Sequence, residues 1–183
     1  MTNKQSDKKV QMVITALGED KPGLVSELSQ TILECGCDIE DSRMIAMSGE
    51  FAIILQVCGS WNAIAKLESS CPAIERKLKM TLACKRSSGR TVNKTLLPYV
   101  VEVVAMDHPG IVHNLAKFLS DQGINIQEMV TSCYAAPHTG TPMFSVHIEI
   151  DIPSSISISQ LRDQFLEFCD ELNLDAVLES LKV

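Results

Sequence analysis

Residues 16–28 read ALGEDKPGLVSEL, and residues 104–115 read VAMDHPGIVHNL. In both, a run rich in β-branched and aliphatic residues ends in Asp-x-Pro-Gly and an amphipathic stretch begins at once. An offset of 87 lays residues 13–39 over 100–126, with identity at Val13/Val100, Asp20/Asp107, Pro22/Pro109, Gly23/Gly110, Val25/Val112, Leu28/Leu115, Gly36/Gly123 and Ile39/Ile126. That is eight of 27 positions, where chance pairing would give roughly two. The chain is therefore two copies of one unit, joined in KRSSGRTVNKT.

Each copy predicts the same order of elements. VQMVITAL and YVVEVVAM are strands; Leu24, Leu28, Ile32 and Ile111, Leu115, Leu119 recur at i, i+4, i+8 and predict a helix after each turn. Gly36 and Gly123 stop those helices. CDIEDSRMIAM and INIQEMVTSCY resume as extended segments, each pairing with a second run, EFAIILQVCG or MFSVHIEIDI. In the latter, Phe144, Val146, Ile148, Ile150 and Ile152 alternate with Ser145, His147, Glu149 and Asp151, which predicts one packed and one wet face. A second helix is expected from an N-cap at Ser60 through Trp61, Ile64 and Leu67, and from Ser159 through Leu161, Phe165, Phe168 and Leu172, with Pro72 ending or kinking the first. MTLACK and LDAVLESL close the units.

The result is β-α-β-β-α-β twice, an α+β fold of two ferredoxin-like units, each a four-stranded antiparallel sheet with two helices on one face. Such units can cover or extend each other's sheet edges. The expected boundaries are a polar tail at 1–10, a first domain at 11–85, a basic linker at 86–97 and a second domain at 98–183. The second hairpin is longer by about six residues, which fall in SCYAAPHTGTP.

Charge divides unevenly along the chain. Residues 1–84 hold nine Lys or Arg against eleven Asp or Glu; residues 98–183 hold three against twelve. Between them Lys85, Arg86, Arg90 and Lys94 stand without an acid. An acidic half repels phosphate backbones and argues against direct nucleic-acid binding. No stretch has the ~20 apolar residues of a membrane span, and MTNKQSDKKV lacks the apolar core of a secretory signal. Seven dispersed cysteines, an odd number, are expected as reduced, half-buried thiols in a cytoplasm. Met44, Met47, Met106 and Met129 are expected to fill core gaps.

The turn itself has chemical potential. Proline suits the first helical turn, and glycine lets a ligand or backbone approach closely. The N-terminus beyond offers unpaired N–H groups that suit a carboxylate, while Asp20 or Asp107 could hold an ammonium. Both charges together fit a free amino acid, although aspartate here is commonly a mere cap. Asn125 could add an amide donor where the first copy has Asp38, which makes the second copy the better candidate.

Other constellations carry less. Cys35-Gly-Cys37 has no second pair to complete a zinc set, and His108 and His113 are not at helical metal spacing. His138 and His147 read as surface residues. Ser26, Ser29 and Ser132 lie in no nucleophile elbow, so no catalytic residues, metal or cofactor are expected.

The repeat, the element order and the Asp-x-Pro-Gly turn together resemble the ACT domain, a regulatory module of amino-acid metabolism. VITALGEDKPGLV, GCDIEDSRM, GEF and GSWNAI are further similar to the glycine cleavage system transcriptional repressor family, bacterial proteins of two ACT domains. The likeness covers residues 11–183 in architecture and is most specific over 11–67. It implies a cytoplasmic, non-catalytic regulator that represses the glycine cleavage operon when glycine is scarce, by contacting a LysR-type activator. Glycine is the implied effector, with serine as a second candidate. The implied ligand residues are Asp20, Lys21, Pro22, Gly23 and Leu24 in the first unit, and Asp107, His108, Pro109, Gly110 and Ile111 in the second, at a seam between domains. Asn125 matches an asparagine used by some serine-binding ACT domains, whereas Asp38 departs from the asparagine of the family string. A homodimer is a further candidate contact, apart from the resemblance. The alternatives are a ligand-independent scaffold and a regulatory subunit of a metabolic enzyme.

Overall fold

The computed structural model describes residues 9–87 and 95–181. They fall into two units, divided between Thr91 and Val92. The first runs β1 (Val10–Glu19), α1 (Leu24–Glu34), β2 (Asp38–Met47), β3 (Glu50–Gly59), α2 (Trp61–Leu78) and β4 (Thr81–Ser87). The second runs β5 (Leu96–Met106), α3 (Ile111–Asp121), β6 (Asn125–Ala135), β7 (Pro142–Pro153), α4 (Ile158–Glu171) and β8 (Asp175–Ser180). The sheets have strand orders β2-β3-β1-β4 and β6-β7-β5-β8, and every pair is antiparallel. The expected fold is present twice. Strands occupy Arg86, Ser87, Leu96 and Leu97, at either end of the segment expected as linker; the tail at 1–8 and linker residues 88–94 lie outside the described residues.

Alternation along each strand sends one set of side chains under the helices. Met12, Ile14 and Ala16 join Ile53, Leu55 and Val57 beneath Leu24, Leu28, Ile32, Ile64 and Leu67, all buried. In the second unit Val101, Val103, Ala105, Val146, Ile148, Ile150 and Ile152 meet Ile111, Leu115, Leu119, Leu161 and Phe165. Phe118 rests on Phe165 and Phe168, with ring centroids 5.4 and 4.9 Å apart. Burial of these apolar faces is what drives each unit to fold.

Helix ends follow one pattern. After α1, Gly36 N–H donates to Leu33 O (2.9 Å) and Cys37 N–H to Ile32 O (3.1 Å); after α3, Gly123 donates to Ser120 O (2.9 Å) and Ile124 to Leu119 O (2.9 Å). This is the Schellman arrangement, which satisfies the last carbonyls and needs a left-handed residue. Gly36 and Gly123 supply φ of 81° and 68°; Lys79 after α2 and Asn173 after α4 adopt 55° and 54° without being glycine. A Cβ on Gly123 would meet nothing within 4 Å. Gly123→Ala is therefore expected to lose about 1–2 kcal/mol of stability purely from its backbone conformation, measured by urea unfolding. Lys79→Gly should shift stability the other way, by less than about 1 kcal/mol.

The structure corrects several expectations. Ser60 caps α2 as expected, accepting the Ala63 N–H at 3.2 Å, but the N-cap of α4 is Ser157, not Ser159. Pro72 lies inside α2 and does not end it. Beyond it Ile74 and Leu78 are buried and Glu75 Oε1 accepts the Leu82 N–H at 3.0 Å, so packing of the last turns outweighs the missing hydrogen bond. Trp61, expected within the apolar stripe, is 62% exposed and lies under the Arg86 guanidinium, 5.4 Å from the ring centre. Met44, Met47 and Met106 are exposed rather than core. Pairing of Met47 with Glu50 and of Met106 with Met143 puts two of them on the uncovered sheet face, and Met44 sits on an edge strand.

Candidate functional site

At each repeated turn the aspartate N–H is tied to the neighbouring hairpin: Asp20 donates to Gly49 O (2.9 Å) and Asp107 to Pro142 O (3.0 Å). The chain then reverses so that Gly23 and Gly110 become the N-caps of α1 and α3, with φ of 96° and 102°. Pro22 and Pro109 stand one residue before those caps, outside the first helical turn where they were expected. Their role is to enter the turn. The glycines are required by backbone conformation and not by crowding, since a Cβ on either would have its nearest neighbour at 3.8 Å.

The first intrahelical bonds run from Glu27 N–H to Gly23 O and from Asn114 N–H to Gly110 O, both 2.9 Å. No side chain caps either helix, so the aspartates are not caps. Leu24, Val25 and Ser26, and likewise Ile111, Val112 and His113, carry the N–H groups that a helix leaves unpaired at its start. They border two open depressions of about 450 and 620 Å³. Asp20, Lys21, Pro22, Gly23 and Leu24 line the first, with Phe51 at its side; Asp107, His108, Pro109, Gly110 and Ile111 line the second, with Phe144.

Phe51 and Phe144 were not singled out from the sequence. The signal lay in pairing: Phe51 faces Gly18 and Phe144 faces Ala105, just before the turn on the adjacent strand. Asn125 does not join them. It pairs with Asp151, nine residues along β7 from Pro142, which separates it from the Asp107 turn of its own unit by roughly 30 Å at about 3.3 Å per residue. Asp38, paired with Cys58, stands at the same far end of the first unit.

The two depressions differ in charge. Glu27 lies in the first turn of α1, with Oε1 3.8 Å from where a Cβ on Gly23 would stand, and pairs with Lys77 at 3.2 Å. α3 has no acid in its first turn, and Asn114 Nδ2 occupies the equivalent place, 3.8 Å from the Gly110 Cβ position. An incoming carboxylate therefore meets Glu27 in the first unit, offset by Lys77 and by Lys21 of the lining, and an amide in the second. Beside the latter, His108 Nδ1 is 3.2 Å from Pro109 O, and the Cys133 thiol is 4.0 Å from the Asp107 carboxylate.

GCDIEDS has a structural reading as well. Gly36 closes α1, Cys37 is buried, and Glu40 occupies a bulge between Ile39 and Asp41. There Glu40 Oε2 accepts from Gln11 Nε2 at 2.6 Å and Gln56 Nε2 at 2.9 Å. The Gln56 bond, then those from Cys58 and Gln11, hold its carboxyl below the ordinary glutamate range. Among the described residues no group of His, Cys, Asp or Glu is arranged to hold a metal, and no helix is long and apolar enough to cross a membrane.

The ACT domain family model matches residues 10–85. With the second sheet repeating the first, the chain is a tandem ACT-domain protein. It is 32% identical over 162 residues to the glycine cleavage system transcriptional repressor of Escherichia coli (strain K12) and, to the same extent, to that of Shigella flexneri, an alignment spanning 88% of this chain and 85% of each relative. The chain belongs to the glycine cleavage system transcriptional repressor family, and its role is regulatory. Two solved structures share the fold over 96% of the chain at 24% identity: an unknown protein from Galdieria sulphuraria, at TM-score 0.76 and fully covered, and a candidate glycine cleavage system transcriptional repressor, at TM-score 0.73 and 99% covered.

Proposed function

We propose that this protein is a non-catalytic cytoplasmic regulator that senses a free amino acid at its Asp-x-Pro-Gly turns and acts through another protein. The observation that carries this reading is the pairing, at each turn, of an uncapped helix N-terminus with an aspartate not used as its cap. The helix end suits an α-carboxylate and the aspartate an α-ammonium. The second unit is the better binder, because Asn114 stands where Glu27 opposes a carboxylate in the first. Glycine is the effector favoured by the family, with serine as the competitor.

The regulated process is transcription of the glycine cleavage operon, repressed through contact with a LysR-type activator. The acidic composition of residues 98–183, with twelve Asp or Glu against three Lys or Arg, supports a protein partner over DNA. Titration calorimetry of the full chain against single amino acids tests the sensor: glycine or serine is expected to give saturable heat. Silence with every amino acid sinks that reading and leaves the ligand-independent scaffold. Affinity capture should recover the activator; recovering only a metabolic enzyme would overturn the transcriptional role.

A further inference from the structure

We infer that Cys71 and Cys84 are a dithiol–disulfide pair able to lock the seam between α2 and the edge strand β4. Two contacts bracket them. On one side the Arg86 guanidinium bonds Glu68 Oε2 through Nε at 3.0 Å and Nη2 at 2.7 Å; on the other, Leu82 N–H donates to Glu75 Oε1 at 3.0 Å. Leu82, Cys84 and Arg86 pair with Ala16, Ile14 and Met12 of β1, which are buried under the helices, so all three share the helix-facing side of β4. Glu68, Cys71 and Glu75 follow at i, i+3, i+7 and form one stripe along α2. The flanking rungs thus set Cys71 opposite Cys84.

The Cys71 thiol donates to Leu67 O at 3.4 Å, and each thiol is the largest influence on the other's titration. Interaction with Cys84 holds the Cys71 thiol below its ordinary range despite burial, while interaction with Cys71 and then burial push Cys84 well above it. Cys71 is therefore the attacking thiolate. Both residues are half-buried and β4 is the edge strand of its sheet, so neither residue belongs to the sealed core.

The co-reactant is a small disulfide such as oxidised glutathione. Cys71 thiolate attacks one of its sulfurs, the S–S bond breaks, and one glutathione thiolate leaves. Cys84 then gives its proton to solvent and attacks the Cys71 sulfur, expelling the second glutathione. Two protein thiols are oxidised and one disulfide is reduced to two thiols. In a reducing cytoplasm the pair stays open; it closes when the thiol pool is oxidised, fixing β4 (Thr81–Ser87) to α2 at Cys84.

Native full-length protein incubated with oxidised glutathione, blocked with N-ethylmaleimide and digested with trypsin tests this. The expected product is peptide 67–76 (LESSCPAIER) linked to peptide 80–85 (MTLACK), separable by dithiothreitol. In Cys84→Ser the reaction should stop with glutathione on Cys71. Recovery of both wild-type peptides carrying maleimide or separate glutathione adducts, or of Cys71 joined to another cysteine, would overturn the inference, as would an unmodified Cys71 in Cys84→Ser.

Discussion

Phe165→Ala is expected to destabilise the second unit by about 3–5 kcal/mol, the range for removing a large aromatic ring from a packed core. Phe165 is 1% exposed, sits on the inner face of α4, and has Phe118 tilted against it at 5.4 Å. The other buried members of its cluster are aliphatic apart from Cys169, one turn along α4. Hydrogen exchange resolved by peptide would locate the loss, with protection falling across residues 95–181. A loss below about 1 kcal/mol would mean that α4 does not depend on this contact.

Asp107→Ala is expected to weaken amino-acid binding by about ten- to a hundredfold, because a hydrogen bond to a charged group contributes about 1.5–3 kcal/mol. The fold should be indifferent. The aspartate side chain caps no helix, and the bond that anchors the turn runs from its backbone N–H to Pro142 O, which alanine keeps. Asp20→Ala should have the smaller effect, since Glu27 already disfavours a carboxylate there. Calorimetry on each variant and on the double variant reads the difference directly. Equal losses from the two single variants would show that Asn114 and Glu27 do not distinguish the sites, and no loss from the double variant would remove the aspartates from the ligand altogether.

Much of the architecture was legible because the repeat doubles every signal. Leu28 and Leu115, or Gly36 and Gly123, occupy equivalent places, and a pattern seen twice at one offset is hard to mistake. Elements of period two and period 3.6 were correctly separated because each unit has one covered sheet face and helices with a single apolar stripe. What failed were local rules that packing overrides. Pro72 looked like an end or a kink of the helix; it is not an end, because Ile74 and Leu78 are held in the core beyond it. Methionine looked like core filler, yet strand register assigned Met47 and Met106 to the uncovered face, and register is a property of pairs that no single segment displays.

Of the candidate site, the turn was legible and its surroundings were not. Asp-x-Pro-Gly names its own residues, so both turns were found intact, and the requirement for φ near +100° explains glycine better than close approach does. Asn125 was chosen by chemistry alone, and the strand that separates it from Asp107 has no signature in residue type. Phe51, Phe144 and Asn114 were missed because their relevance comes from register and helical phase, which bring them to the turn from another strand or a later helical position.

The two hairpins differ in how much change each can absorb. In the first unit Ser48 and Gly49 alone, at φ of 52° and 88°, join β2 to β3, and Gly49 O holds Asp20. In the second, residues 136–141 join β6 to β7, closed by bonds from Ala136 to Thr141 O and from Gly140 to Ala136 O, each 2.9 Å. A two-residue turn of this handedness admits few sequences, whereas lengthening a surface loop adds only about 0.6 kcal/mol per doubling. The first hairpin is thus tightly constrained in sequence, while the second tolerates changes of length. Because Pro142, at the base of the longer loop, is also the acceptor for Asp107, a change of length or sequence in that loop has a direct route to the second turn.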